Sequence, residues 1–415
     1  MVTSKKIFDP VHGFIRLSTL EAFLVDSPVF QRLHYIRQLG VTYLVYPGAT
    51  HTRFEHSLGV MQVASQIFDQ IASRLPEDIS IDGSIPYWRQ ILRLAALCHD
   101  LGHLPFSHVA EKNLLGKGGH EKWTLYVIES HHLKDLWQML ESEYPGRNPK
   151  NDVIKISLGE SSIRQIDHPI ANECLSDWER VVSQMITGDF FGADRIDYLL
   201  RDSRCTGLSY GLFDYQQLIE MLRVLPSNEH SRWELGIEEN GVQSCEALLL
   251  ARHFMHKRVY QYPSVKAYGY HMARFMKYIY DKYNPLESLN EYLSFTDNTI
   301  LVEAQKEMKK SSDIHPDCLA LFDRSKRYVC MEITKELDVQ GLQEFLVKKG
   351  FCCDHLDFGV NNSNEQRTST FPVLKKSGTI VDGLDCSRLL IAPYITADVF
   401  IPSELHKELN QSTAV

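Results

Sequence analysis

Apolar residues at Val60, Val63, Ala64, Ile67, Phe68, Ile71 and Leu75 recur in steps of three and four, the period that lines one face of an α-helix. The segment HTRFEHSLG stands directly before them, so the spacing predicts a helix that opens there. The same period returns in Trp88 to His99, Trp178 to Ile186, Asp194 to Arg201 and Ser244 to Tyr260, with little strand alternation between them. The first 280 or so residues therefore read as all-helical. Beyond about Pro285 the texture changes. YVCMEI and SRLLIAPYI read as strands, and VQGLQEFLVKK between them reads as a helix. Asp354 to Lys376, with NNSNEQ inside it, is polar enough for a surface loop or a mobile insertion. The expected fold is mainly α, a helical domain over residues 1–283 followed by a smaller α+β unit over residues 284–415.

A chain of 415 residues is too long for one average core, which agrees with two units. Hydrophobic residues at 44% and charged residues at 23% exclude a largely disordered or fibrous protein. The net charge of −9 argues against a nucleic-acid partner held by the whole surface, while a local basic pocket can still take a small anion. The nine cysteines are scattered, and the close pair Cys352-Cys353 lacks the CxxC spacing of a zinc or redox site, so they read as reduced thiols. MVTSKKIFDPVHGF has no apolar signal region, and no apolar run nears the roughly 20 residues that span a bilayer. The expected location is cytoplasmic, without a membrane partner.

His99-Asp100 ends the apolar run RLAALCHDLGH, where a buried helix gives way to a glycine turn. An ordinary hydrogen-bonded core histidine would explain that dipeptide on its own. Its company changes the reading: His56 lies at a helix start upstream, and Asp194 lies on a helix downstream in DFFGADRIDYLLRD. Two imidazoles and two carboxylates on separate helices can bind a divalent ion and leave positions open for water and substrate. Mixed nitrogen and oxygen ligands suit iron, manganese, nickel or zinc better than calcium, and the residues do not choose among them. Asp194, Asp197, Tyr198 and Arg201 share one helical stripe, either an active-site wall or a solvated face, and the apolar Ile196, Leu199 and Leu200 favour a packed helix. Arg252, His256 and Tyr260 align at i, i+4 and i+8, and Arg252 suits a bidentate phosphate contact. His103 lies four residues beyond His99, and Glu111 falls between His108 and His120. An imidazole tuned by a carboxylate can move protons near neutral pH, although among 18 histidines these can equally be ordinary loop residues.

HTRFEHSLG, CHDLGHLPFSH and ADRIDYLLRD resemble the H…HD…D signature of HD phosphohydrolases. With DPVHGFIRL, FQRLHYIRQLG and YPGATHTRFEHSLGV they are similar in order and spacing to the SAM-and-HD-domain deoxynucleoside triphosphate triphosphohydrolases and their bacterial relatives, over residues 8 to 265. The resemblance implies a mostly helical HD fold with His56, His99, Asp100 and Asp194 as ligands of one divalent ion, and magnesium accompanying the substrate phosphates. It implies that His120 occupies the family's catalytic histidine position, with His103 beside it and Glu111 holding it. It places Arg53, His108, Arg195 and Arg252 at the phosphates, Gln38, Leu39, Tyr198 and Asp202 around the deoxyribose, and Tyr260 against the sugar. The implied reaction splits a dNTP into deoxynucleoside and triphosphate, in a homo-oligomer, dimer or tetramer. Another phosphate ester, such as a monophosphate or an alarmone, and a nucleotide sensor without turnover stay open as alternatives.

The chain departs from the animal members at their activator sites. Asp26 and Gln31 are present, but His34 stands where an arginine reads the activating guanine, and Glu238 and Asn240 stand where basic residues hold a second nucleotide. A carboxylate there repels phosphate. No helical module precedes DPVHGF where those members carry a SAM domain. The expectation is regulation unlike theirs: constitutive activity, another effector, or another nucleotide.

Overall fold

The longest apolar stripe folds as helix α1 (Arg53–Ala72), started by Thr52, whose backbone N–H donates to the Glu55 carboxylate at 2.8 Å. The computed structural model describes residues 5–227, 232–310, 314–332, 358–361, 370–387 and 396–401. Helix α2 (Ile85–Cys98) starts at Ser84 with Pro86 in its first turn, and hands over to His99 at its C-terminal end. After α3 (Gly119–Glu129) and α4 (Pro149–Ile163) comes α5 (Asp177–Thr187), where Ser176 and Glu179 cap each other's backbone N–H at 3.2 and 2.7 Å. Helix α6 (Ala193–Thr206) closes this first core by packing on α1. Val60, Ala64, Ile67 and Phe68 of α1, Leu94 and Leu97 of α2, and Ile196 and Leu199 of α6 are fully buried together.

A second core forms around α8 (Pro263–Tyr283), which follows α7 (Val242–Met255). Met272, Phe275 and Ile279 of α8 meet Tyr292 of α9 (Leu289–Ser294), Ile300 of α10 (Asp297–Glu307) and Cys318 of α11 (His315–Phe322). Val41, Leu104, Phe106, Ala110 and Trp123 join this core from far earlier in the chain. Asn284, left-handed at φ 46°, ends α8 at the expected domain boundary, yet the packing runs across it.

The first 280 residues are not all helix. β1 (Lys5–Asp9) and β2 (Gly13–Leu17) form an antiparallel hairpin in which Lys5 faces Leu17 and Asp9 faces Gly13. β3 (Leu222–Pro226) pairs antiparallel with β4 (Trp233–Glu238). Ile15 and Leu17 of β2, Leu222 and Val224 of β3, and Leu235 and Ile237 of β4 are buried two residues apart. Strands of five or six residues repeat that period too few times to stand out against long helical runs. Nor does α7 continue as an α-helix to Tyr260, because the turn His256–Tyr260 is π-helical, with the His256 and Tyr260 rings in edge-on contact at 5.1 Å.

YVCMEI contains β5 (Val329–Glu332), which joins β6 (Phe358–Asn361) and β9 (Thr396–Ile401) in an antiparallel sheet ordered β5-β9-β6. The polar stretch 354–376, expected as a loop, holds β6 and also β7 (Pro372–Leu374). β7 pairs in parallel with β4 and antiparallel with β8 (Ile380–Asp382). Ladder hydrogen bonds come from the backbone, so partners distant in sequence turn a polar segment into strand. VQGLQEFLVKK, and SRLLIAPYI after Ser387, lie outside the described residues. Cys98, Cys174, Cys205, Cys245, Cys318 and Cys386 are all free. Among the described residues no helix is long and apolar enough to cross a membrane.

Candidate active site

Three helix ends of the first core bring His56, His99, Asp100 and Asp194 together. His56 points from α1, His99-Asp100 closes α2, and Asp194 lies in the first turn of α6. His56 Nε2 is 3.0 Å from Asp194 Oδ1 and 3.6 Å from Asp100 Oδ2, and His99 Nε2 is 3.8 Å from Asp194 Oδ1 and 3.3 Å from Asp100 Oδ1. Ligands about 2.1 Å from one metal stand roughly 3.0 Å apart when adjacent and about 4.2 Å apart when opposite, so the spacing fits a shared cation. The tautomers fit as well. His99 Nδ1 lies 2.8 Å from the Ala96 carbonyl, which can only accept, and His56 Nδ1 lies 2.7 Å from the Asp197 carboxylate. Both protons therefore sit on Nδ1, and both Nε2 lone pairs face the carboxylates. These two buried Nε2 atoms make no hydrogen bond among the described residues. Burial opposes charge on His56, but the surrounding carboxylates of Asp194, Asp197 and Asp100 outweigh it and raise its pKa to about 10. A positive charge is what this cluster favours.

Asp197, fully buried, orients His56 from behind. Its carboxylate also accepts from His12 Nε2 at 2.6 Å and from Arg201 Nε and Nη2 at 2.9 and 3.0 Å, and Arg201 Nη1 continues to Asp9 at 2.8 Å. Burial works against the Asp197 charge, and Arg201, His12 and His56 overcome it, holding its pKa well below the usual carboxylate range. Gly59 permits this arrangement, since a Cβ there would lie 1.9 Å from Asp197 Oδ1. The helical stripe suggested Asp197 and Arg201. Asp9 and His12 were missed as participants, and their only signal was two polar residues flanking a proline turn in DPVHG.

Beside the cluster, Glu111 gathers two imidazoles. Its Oε1 is 2.5 Å from His120 Nδ1 and accepts from the His120 backbone N–H at 2.8 Å, while Oε2 is 2.6 Å from His108 Nδ1. His103 stacks on His120 with centroids 3.7 Å apart and reaches Asp100 Oδ1 with Nε2 at 3.3 Å. His103, His108, Glu111 and His120 could themselves surround a cation, but the hydrogen bonds to Glu111 already occupy the Nδ1 atoms of two of them. Burial penalises the charge on His120, yet Glu111 raises its pKa above the ordinary value. Burial, Arg53 and His120 push His103 well down. The stack thus pairs a ring whose pKa is raised with one whose pKa is lowered. Glu111, resisting its own burial through His108 and His120, stays ionised.

Tyr198, Asp202 and Tyr260, expected around a substrate, lie next to one another. Tyr260 donates its hydroxyl to Asp202 Oδ2 at 2.7 Å, Asp202 Oδ1 meets His51 Nε2 at 2.7 Å, and Tyr198 lies edge-on to Tyr260 with centroids 6.1 Å apart. Burial raises the Tyr198 pKa, and Arg195 and Arg252 nearby pull it back. Arg195 donates through Nη2 to Asp189 at 3.1 Å, while its buried Nη1 and the buried Gln38 Oε1 make no hydrogen bond among the described residues. Leu39 packs against the first core. Arg53, expected at a phosphate, is buried and donates through Nε to Ser107 Oγ at 2.8 Å and through Nη1 to Asp100. Glu238, where phosphate repulsion was expected, is paired with Arg223.

Residues 53–164 match the HD domain, and residues 213–338 match the HD associated region. The chain thus carries an HD domain followed by an HD-associated region. The helices carrying His56, His99 and Asp100 fall inside the HD match, and Asp194 lies between the two matched regions. This HD-domain chain is 36% identical over 262 residues to an uncharacterized protein of Methanocaldococcus jannaschii, an alignment covering 63% of this chain and 47% of that protein. It is 32% identical over 281 residues to human deoxynucleoside triphosphate triphosphohydrolase SAMHD1, covering 63% of this chain and 42% of the relative. The chain thus spans about half the length of the curated relatives it matches. A crystal structure of a hypothetical protein from Aquifex aeolicus aligns with a TM-score of 0.76 at 28% identity over 97% of this chain and 98% of that one. A phosphohydrolase from Bacteroides thetaiotaomicron, at 23% identity and a TM-score of 0.70 over 96% and 99%, shares the fold.

Proposed function

We propose that this HD-domain protein is a metal-dependent phosphohydrolase that cleaves deoxynucleoside triphosphates to deoxynucleoside and triphosphate. The observation that carries the reading is the set of buried, unsatisfied nitrogens on His56, His99 and Arg195 beside a carboxylate-held histidine acid. Buried polar atoms normally find partners, and a cation with phosphate oxygens would satisfy these. The similarity to SAMHD1 supports the choice of nucleotide. His56, His99, Asp100 and Asp194 would hold the ion, with iron, manganese, nickel and zinc all compatible. When bound, such an ion supplies Lewis acidity toward phosphoryl oxygen and acidifies water. Arg195 and Arg252 neutralise the phosphates, with His108 contributing at the rim. Gln38, Leu39, Tyr198 and Asp202 enclose the sugar, and Tyr260, fixed by Asp202, crowds the 2′ position and disfavours ribose. As a water oxygen bonds to the α-phosphorus and the bond from that phosphorus to the 5′-oxygen breaks, His120 gives its proton to the departing oxygen while Glu111 steadies the ring, and the attacking water gives up a proton and leaves its oxygen on the triphosphate.

Product analysis tests the reaction. The purified protein, incubated with each dNTP and the matching rNTP in manganese, is expected to release deoxynucleoside and intact triphosphate in equal amounts on ion-exchange chromatography. Stepwise phosphate loss, or no turnover with any nucleotide or mixture, would sink the assignment.

Glu111→Gln is expected to lower kcat roughly a hundredfold at neutral pH and to move the alkaline limb of the pH profile downward. Glu111 raises the His120 pKa above 6.5, so the wild-type acid stays charged until the pH passes that raised value. The sign of the stability linkage follows. His120's contribution is complete below 6.5 and lost as pH rises through its raised value. Glu111's contribution is complete above 4.5 and lost as pH falls through its depressed value. An unmoved alkaline limb in the variant would remove His120 from the acid role.

A further inference from the structure

Phe106 and Ser107 both adopt φ of 56°, two consecutive residues with side chains in the left-handed region, which such residues occupy rarely. They form the turn that separates His103 from His108. Something must hold the turn, and the contacts converge on a segment nearly 200 residues away in sequence. The Phe106 N–H donates to Asp297 Oδ1 at 2.8 Å, and the Arg37 N–H donates to Asp297 Oδ2 at 3.0 Å. Ser107 Oγ then donates to the Arg37 carbonyl at 2.7 Å and accepts from Arg53 Nε. One carboxylate at the start of α10 thus ties two loops of the site to each other.

Two neighbours brace the same turn from its other side. Arg32, buried, donates to the carbonyls of His103 at 3.0 Å, Leu293 at 3.1 Å and Phe295 at 3.0 Å, and the Tyr292 hydroxyl donates to the Gly102 carbonyl. Gly40 closes in as well, where a Cβ would lie 2.7 Å from the Phe106 carbonyl oxygen. The loop has no slack, and its consequence is the spacing of the stacked His103 and His120 rings and of the His108 bond to Glu111.

We propose that Asp297 is a positioning residue for the acid–base loop, holding the strained Phe106-Ser107 turn so that His103 and His108 meet Glu111 and His120. At 1% exposure it is out of a substrate's reach and acts through the Phe106 and Arg37 backbone N–H groups and the Arg37 guanidinium, whose Nη1 donates to Oδ2 at 3.3 Å. The proposal rests on the reading of those histidines as the chemical groups.

The test compares Asp297→Asn and Asp297→Ala with the wild-type full chain in metal content, thermal melting, and kcat and KM for whichever dNTP the wild type turns over. Asn keeps one acceptor oxygen and turns an NH2 toward the other donor. Both variants are expected to keep wild-type metal stoichiometry, with kcat down roughly tenfold for Asn and about a hundredfold for Ala, and KM within about threefold. A kcat within about twofold of wild type for Ala, a change in KM alone, metal lost in step with kcat, or an unfolded Asn variant would each overturn the proposal. If the wild type turns nothing over, the function reading fails by itself. Histidine-selective ¹⁵N NMR then still decides: the imidazole resonances of His108 and His120 should move in Asp297→Ala, and unmoved resonances overturn the positioning role.

Discussion

Asp194→Ala protein is expected to come through purification without its divalent ion and to show turnover lower by roughly a thousandfold or more. Asp194 Oδ1 is the oxygen that both orphaned imidazole nitrogens face. Asp100 cannot replace it, because one of its oxygens is committed to Arg53 and its charge already answers His99 and His103. The fold should survive the change. Asp194 is 35% exposed at the mouth of the site, and the His56–Asp197–Arg201 network behind it stays intact. Elemental analysis beside a thermal melt separates the two effects: an empty site with near wild-type melting is expected, and wild-type metal content in the variant would remove Asp194 from the ligand set. His56 binds a cation only after losing its proton, so metal affinity should also rise with pH.

Gly59→Ala should destabilise the protein by about 3–5 kcal/mol, the cost of breaking a buried charge pair, although a single methyl group is added. The new Cβ would lie 1.9 Å from Asp197 Oδ1 and 2.5 Å from Arg201 Nη2. Asp197 cannot swing aside without leaving His12, His56 and Arg201 with buried, unpaired donors. The natural control is Gly269→Ala in α8, where a Cβ meets nothing within 4 Å. Alanine there should stabilise the helix by about 0.5–1 kcal/mol. Denaturant melts of the two variants should therefore move in opposite directions. A Gly59→Ala protein as stable as wild type would show that α1 and α6 can separate without cost.

The helices of the first core were legible because their apolar residues repeat over many turns, and the candidate ligands were legible because all four lie in short runs around helix ends. Short strands were not, since Leu222 and Val224 or Leu235 and Ile237 make a pattern only once their partners are known. The pairing of β7 with β4 joins segments with no local signal of each other. Spacing alone also could not show that Arg53 is buried and paired, because its partners Ser107 and Asp100 are brought to it by the turn after α2. His12 and Asp297 reach the site from opposite ends of the chain, each as one polar residue in an unremarkable segment.

The candidate cation cluster is built on the first core, whereas Leu104, Phe106 and Ala110, which flank the histidines proposed for proton transfer, are packed into the second. The two halves of the chemistry can therefore loosen separately. Hydrogen exchange should reveal a partially open state in which α8 to α11 have detached while α1, α2 and α6 remain protected. Such a species would still be loaded with its ion and inert, so anything that grips or releases the helices after residue 284 could throttle the protein without emptying it.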